Sequence, residues 1–242
     1  MRQLLVINPN TGQATTERLQ NWISALLPAD VHLQCITARF GAPYIACEAS
    51  AAVAGYALLD AWAHHLAHSA TPPDGVLIAC FGDPGLFALR ASSACPVSGL
   101  AEASFIQATA LGPFAIVTGG VHWPAMLRRL AQNLGFEQQL TGIEVVKETG
   151  AQLLADKDLA LRVLAQACER AAQTGAKAII MGGAGLAGYA EMLQDRVKLP
   201  LIDSVSAGLN LYLNRQMPAA VRQHNAFESA WHHLPDHMNL AS

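Results

Sequence analysis

Cys80 is the residue of this sequence best suited to chemistry. It ends the apolar run Ile78-Ala79-Cys80 and opens a short loop, Phe81-Gly82-Asp83-Pro84-Gly85, ahead of a helix start. Free N–H groups and a helix amino end at such a place stabilise a thiolate, the form of cysteine that acts as a base or nucleophile. The same position also suits a small buried hydrophobe, the commonest fate of a free cysteine. Cys35, Cys47, Cys95 and Cys168 lie before or within helices and strands without a loop of this kind and read as packing residues. A second candidate loop is Met181-Gly182-Gly183-Ala184-Gly185-Leu186-Ala187-Gly188. Its Gly183, Gly185 and Gly188 satisfy G-x-G-x-x-G, and Asp203 follows 20 residues after Gly183 (203 − 183), where a dinucleotide site would hold a ribose. That fingerprint normally opens the first β-α unit of a sheet, whereas only one further strand follows here, so dinucleotide binding is the lesser reading. His64, His65 and His68 include a pair four residues apart but lack the Glu of H-E-x-x-H, and a solvated helix end accounts for them, so no metal is expected. His122, His224, His232, His233 and His237 have no ligand spacing, and the chain has neither a Walker loop nor a G-x-S-x-G elbow.

The elements that must position these residues follow from the hydrophobic pattern. Short apolar runs bounded by Gly, Pro or Asn alternate with helix-period stretches, the signature of β-α units on a parallel sheet. Strands are predicted at 4–8, 32–37, 75–81, 96–98, 114–118, 142–146, 176–181 and 200–203. Leu19, Trp22, Ile23, Leu26 and Leu27 fall on one helical stripe, Pro124 suits a first helical turn, and Asp156 can cap a helix through Leu159, Val163, Leu164 and Ala167. Strand starts advance by 28, 43 and 21 residues in the first half and by 28, 34 and 24 in the second, so the chain repeats itself. A period of about 105 residues is too long for a solenoid. The expectation is an α/β fold of two pseudo-twofold-related lobes, 1–99 plus 205–242 and 100–204, each a four-stranded parallel sheet flanked by helices. Ligands bind outside the carboxyl ends of parallel strands, which puts the expected active site in the cleft between the lobes. Overlaying the repeats pairs Cys80 with Gly183 and Gly82 with Gly185, and sets Asn8-Pro9-Asn10-Thr11-Gly12 beside Thr118-Gly119-Gly120.

Composition narrows the partners. Among 242 residues, 15 Lys+Arg face 18 Asp+Glu, a net charge of −3, which argues against nucleic acid or an anionic membrane. Hydrophobic residues make up 52% and charged residues 14%, which excludes disorder. No apolar window reaches the ~18 residues of a membrane span, and the odd count of five cysteines without C-x-x-C fits reduced thiols in the cytoplasm. Both a lone chain and a homo-oligomer are compatible with the sequence.

Four segments, Ile7-Asn8-Pro9-Asn10-Thr11, Ala79-Cys80-Phe81-Gly82-Asp83-Pro84-Gly85-Leu86, Gly99-Leu100-Ala101-Glu102-Ala103 and Ala184-Gly185-Leu186-Ala187-Gly188, resemble the aspartate/glutamate/hydantoin racemase superfamily. The resemblance runs over residues 3–212 and is strongest to the hydantoin and allantoin racemase branch. It implies a cofactor-independent racemase or isomerase that moves the α-proton of a hydantoin-like or amino-acid-derived small molecule, such as a hydantoin, allantoin or an amino-acid derivative. In that family two cysteines face the substrate α-carbon from opposite lobes. Cys80 matches the first, and the second falls on Gly183. The resemblance also assigns a substrate-binding amide to Asn10 and a binding hydroxyl to Thr118. The backbone around Phe81, Gly82, Ala184 and Gly185 becomes a cradle for substrate oxygens, the kind of donor set that stabilises an enolate. One fixed thiol reaches only one face. A single-cysteine lyase of the arylmalonate decarboxylase type, whose retained thiol is the second one, and a catalytically silent binding protein are therefore the alternatives. Tyr189 and His122 are candidates for the missing acid. Arg39 is the nearest rim cation, and Phe40, Tyr44 and Phe81 are aromatic candidates for a pocket wall or for core.

Overall fold

The computed structural model describes residues 1–148, 150–220, 234, 235 and 238. The chain order is β1 (Arg2–Asn8), α1 (Gln13–Leu26), β2 (Val31–Thr37), α2 (Glu48–His68), β3 (Gly75–Ile78), α3 (Leu86–Ser92), β4 (Val97–Gly99) and α4 (Leu100–Thr109). It continues with β5 (Phe114–Gly119), α5 (Trp123–Asn133), β6 (Leu140–Val146), α6 (Gly150–Ala155), α7 (Lys157–Ala172), β7 (Ala178–Gly182), α8 (Tyr189–Leu193), β8 (Leu201–Asp203) and α9 (Ser204–Leu213). Two four-stranded sheets result, with orders β2-β1-β3-β4 and β6-β5-β7-β8, and every pairing is parallel. Their identical order is the structural form of the sequence repeat. A parallel pair cannot be closed by a tight turn, so each strand hands over through a helix.

Leu4, Leu5, Val6 and Ile7 of β1 and Phe114, Ala115, Ile116 and Val117 of β5 are all buried, as central strands covered on both faces must be. Helices add the outer layer. Leu19 and Ile23 of α1 are buried, but Leu26 at the frayed end of the expected stripe is 45% exposed. Pro124 does occupy the first turn of α5, and the Asp156 carboxylate accepts the Leu159 N–H at 2.9 Å to cap α7. All eight predicted strands exist, with one instructive shortening. β3 ends at Ile78 rather than running to Phe81; Ala79 N–H still donates to Ile7 C=O at 2.8 Å, and the chain then leaves the sheet.

Two compact units are present. The first comprises Met1–Ala79, Asp83–Gly99 and the described residues from Leu211 on, and contains the first sheet. The second comprises Cys80–Gly82 and Leu100–Asn210, with the second sheet. This division differs from the expected one at two points. Residues 80–82 group with the second sheet because of their side-chain packing, described below, and the later boundary falls inside α9 rather than before it. Leu164, Ala167 and Cys168 of α7 pack with Ile179 and Met181 of β7 in the core of the second unit.

Candidate active site

The loop that carries Cys80 is built by backbone conformation. Gly82 (φ 155°), Asp83 (φ 47°) and Gly85 (φ 78°) lie in the left-handed region, where glycine is free and aspartate is tolerated better than most residues. This turns the chain into α3, which begins at Leu86, six residues past Cys80. The expected helix amino end therefore comes later along the chain than the loop reading implied, and α3 is only 7 residues long. Neither Phe81 N–H nor Gly82 N–H has a hydrogen-bond partner among the described residues. Cys80 is 8% exposed. The Phe81 ring lies edge-on to Phe105, centroids 6.3 Å apart, and covers Gly182 so closely that any Cβ there would collide with it. Gly82 meets the Trp123 indole in the same way. Phe81 is thus core, and the thiol-bearing loop is pinned to the carboxyl end of β7.

Gly183 follows at the end of β7, with φ 140° and ψ 138°, a conformation that L side chains rarely adopt. A Cβ built there finds open space, its nearest neighbour being Leu186 Cγ at 3.9 Å. Gly183 N–H donates to Ser204 Oγ at 3.2 Å, and Ala184 and Gly185 form a single 3-10 turn closed by Leu186 N–H donating to Gly183 C=O at 2.8 Å. The Thr118 hydroxyl donates to Gly182 C=O at 2.8 Å, so this buried side chain fastens β5 to the end of β7 and keeps only its acceptor side for a ligand. Asp203 Oδ2 accepts the Gly188 N–H at 2.7 Å, while Oδ1 accepts Val205 N–H at 3.0 Å and Ser206 N–H at 2.9 Å. Burial nevertheless raises its carboxyl above the ordinary 3.8. With its oxygens committed to the protein's own amides, Asp203 does not offer the ribose contact that the dinucleotide reading required.

On the first sheet, Asn10 is held by Asn8, the last residue of β1, to which the sequence assigned no role beyond the strand. Gly12 N–H donates to Asn10 Oδ1 at 2.8 Å, and Asn8 Nδ2 donates to the same oxygen at 3.0 Å. None of the hydrogen bonds of Asn10 among the described residues uses its Nδ2.

With this geometry in place, the model of the Asp/Glu/Hydantoin racemase family matches residues 4–212. The chain belongs to that family. It is 33% identical over 211 residues to a hydantoin racemase of Paenarthrobacter aurescens, covering 85% of this chain and 87% of that protein. Among solved structures, an allantoin racemase from Klebsiella pneumoniae is 28% identical and superposes with a TM-score of 0.86 over 99% of both chains. Arylmalonate decarboxylase, at 16% identity and TM-score 0.59 over 88% of this chain and 91% of its own, shares the fold. The protein is an isomerase of this family, on the side of its hydantoin and allantoin racemases.

A racemase needs proton carriers, and the remaining candidates separate clearly. The Tyr189 hydroxyl donates to Leu153 C=O at 2.9 Å within the buried core, which removes it as a mobile acid. His122 is exposed on the loop after β5, immediately before Trp123. Arg39 is not a free rim cation: it makes bidentate bonds of 3.0 and 2.7 Å to the fully buried Asp60, which the sequence reading missed within an alanine-rich helix. Phe40 packs on Tyr56 with centroids 5.0 Å apart, and Tyr44 is exposed. At the end of α2, His65 is buried against Trp62 and its ring nitrogen is lowered in pKa by that burial and by His64, so the solvated helix end holds for His68 only. His224, His232, His233 and His237 lie outside the described residues. Among the described residues no cluster of three His, Cys, Asp or Glu could hold a metal ion, and no helix is long and apolar enough to cross a membrane.

The other thiols bring a correction. Burial pushes Cys35 and Cys168 up to about 12 and raises Cys95. Cys47 is different. It is exposed at the amino end of α2, where the Ser50 backbone N–H and then the Ser50 hydroxyl bond its sulfur and lower its pKa. Cysteine is not a usual capping residue, which is why its sequence position carried no such signal.

Proposed function

We propose that this isomerase racemises a hydantoin-like or amino-acid-derived small molecule without a cofactor, using Cys80 as the base. The Cys80 thiolate takes the proton from the carbon next to a carbonyl and becomes the thiol, the electron pair passes into the C=O as an enolate, a water on the opposite face returns a proton to the carbon, and the Cys80 thiol gives its proton to the hydroxide left behind, which restores the thiolate. Phe81, Gly82, Ala184 and Gly185 supply backbone donors to the developing oxyanion, commonly the largest catalytic contribution. Asn10 binds a substrate oxygen, and Thr118 holds the end of β7 in place. One observation carries the reading: Phe81 and Gly82 pack on Gly182 and Trp123, so Cys80 and the Gly183 loop belong to one packed unit. The similarity to a hydantoin racemase and an allantoin racemase supports the substrate class.

A one-thiol lyase remains a second reading because Gly183 has no side chain and its φ of 140° resists one. The test is deuterium incorporation beside chiral chromatography on a 5-substituted hydantoin, allantoin and an amino acid, with an arylmalonate assayed for carbon dioxide release. The expected result is α-proton exchange with inversion of a hydantoin or allantoin, reduced in Cys80→Ser by the ~10² to 10⁴-fold of a lost acid or base. Undiminished activity in Cys80→Ser would overturn the mechanism. Decarboxylation without exchange would establish the lyase instead.

A further inference from the structure

We infer that Asn8 is a positioning residue: it locks the Asn10 carboxamide with its NH₂ outward, so that the site presents a fixed donor to an oxygen of the substrate. The inference rests on the substrate role of Asn10 proposed above and adds the residue that enforces it. Asn8 is 1% exposed at the end of β1, and its side chain uses both ends. Nδ2 shares its two protons among three acceptors, Asn10 Oδ1 at 3.0 Å, Gly12 C=O at 3.2 Å and Thr16 Oγ1 at 3.0 Å, while Oδ1 accepts Asn10 N–H at 3.2 Å. Thr16 Oγ1 lies 2.6 Å from Thr37 Oγ1, which ties the group to α1 and β2.

Backbone groups fix which way both amides face. A carbonyl only accepts, so the Asn8 atom beside Gly12 C=O is nitrogen; a backbone N–H only donates, so the Asn10 atom beside Gly12 N–H is oxygen. With Oδ1 of Asn10 turned inward to two donors, only its NH₂ faces away from the network. Such a group recognises a carbonyl or carboxylate oxygen and offers nothing to an N–H. A donor held before the substrate arrives loses less freedom on binding than one that must be ordered.

The experiment is a double-mutant cycle of Asn8→Ala and Asn10→Ala on a 5-substituted hydantoin and on allantoin, with Thr16→Val as a variant that removes one acceptor of Asn8 without opening a cavity. It is paired with side-chain amide NMR of the unliganded protein, in which the Asn10 resonances are assigned by their loss in Asn10→Ala. Asn8→Ala is expected to raise KM about tenfold with kcat changed little, as a lost hydrogen bond made equally to substrate and transition state does. Thr16→Val acts in the same direction and more weakly. In the Asn10→Ala background Asn8→Ala adds nothing further, and in the Asn8 variant the Asn10 amide pair shifts. Additive effects in the cycle, or an Asn10 amide pair unmoved by Asn8→Ala, would overturn the inference. If Asn10→Ala leaves kinetics unchanged, the substrate role of Asn10 fails; the amide spectra then decide the locking alone.

Discussion

The five thiols differ by what surrounds each sulfur, and that difference makes a labelling experiment discriminating. Brief iodoacetamide treatment is expected to modify Cys47 first, because it is exposed and its thiolate is stabilised by the Ser50 amide; its modification should reach half rate below the ordinary 9.0. Cys35, Cys95 and Cys168 should stay unmodified until the protein is denatured, since burial disfavours their ionised forms. Activity should survive labelling of Cys47 and fall in step with labelling of Cys80, which substrate should slow. Loss of activity that follows Cys47 would move the site. Gly183 supports a second prediction. Gly183→Cys has room for its Cβ but must adopt an unfavourable backbone, a cost of about 1–3 kcal/mol. The variant should therefore melt several degrees lower, at about 2–4 °C per kcal/mol for a chain of this size. If the proposed mechanism holds, with residue 183 facing the substrate opposite Cys80, its ratio of inversion to exchange should nonetheless rise. An unchanged ratio would mean that residue 183 does not face the substrate.

Strand exits position every candidate group, and their legibility in the sequence is uneven for a physical reason. Central strands are apolar throughout, so β1, β3, β5 and β7 stand out as runs. The same rule hid the end of β3: Ala79, Cys80 and Phe81 are apolar because they are buried against other elements, not because they pair in the sheet. The Asp156 cap was readable because it acts within three residues of itself, whereas Asp60 acts through Arg39, 21 residues away, which only the fold brings near. Asp203 is the test at this scale, since it joins the Gly188 loop to the first turn of α9. Its pKa is raised by burial, so the folded chain holds its proton to higher pH than the unfolded chain does. The stability that this proton contributes is fully present below the ordinary carboxyl value and is lost as pH rises through the folded one. Asp203→Asn cannot ionise and lacks this slope. Urea denaturation from about pH 4 to 7 should therefore show the parent losing stability relative to the variant as pH increases. A pH-independent difference would mean that Asp203 titrates at its ordinary value.

At the scale of the whole chain, the repeat is visible in two sheets of identical order, yet the two compact units are not two consecutive lengths of sequence. The backbone passes from one unit to the other after Ala79, Gly82, Gly99 and Asn210. The short excursion of residues 80–82 is the consequential one. It delivers Phe81, 4% exposed, to Phe105 and Gly182, so a core residue of the second unit is donated from the sequence of the first repeat. Removing a buried phenylalanine side chain costs about 3–5 kcal/mol, a large part of the roughly 5–15 kcal/mol that holds a domain folded. Phe81→Ala in the full chain should thus lower the melting temperature by roughly 6–20 °C, taking about 2–4 °C per kcal/mol. An excised fragment 100–210 loses the same ring together with the Gly82 seat against Trp123. It should melt without a sharp transition by circular dichroism and bind a hydrophobic dye. A fragment that melts as cooperatively as the parent, at the same temperature, would show that Phe81 contributes nothing essential to the second unit. The seating of Cys80 on that unit would then need another cause.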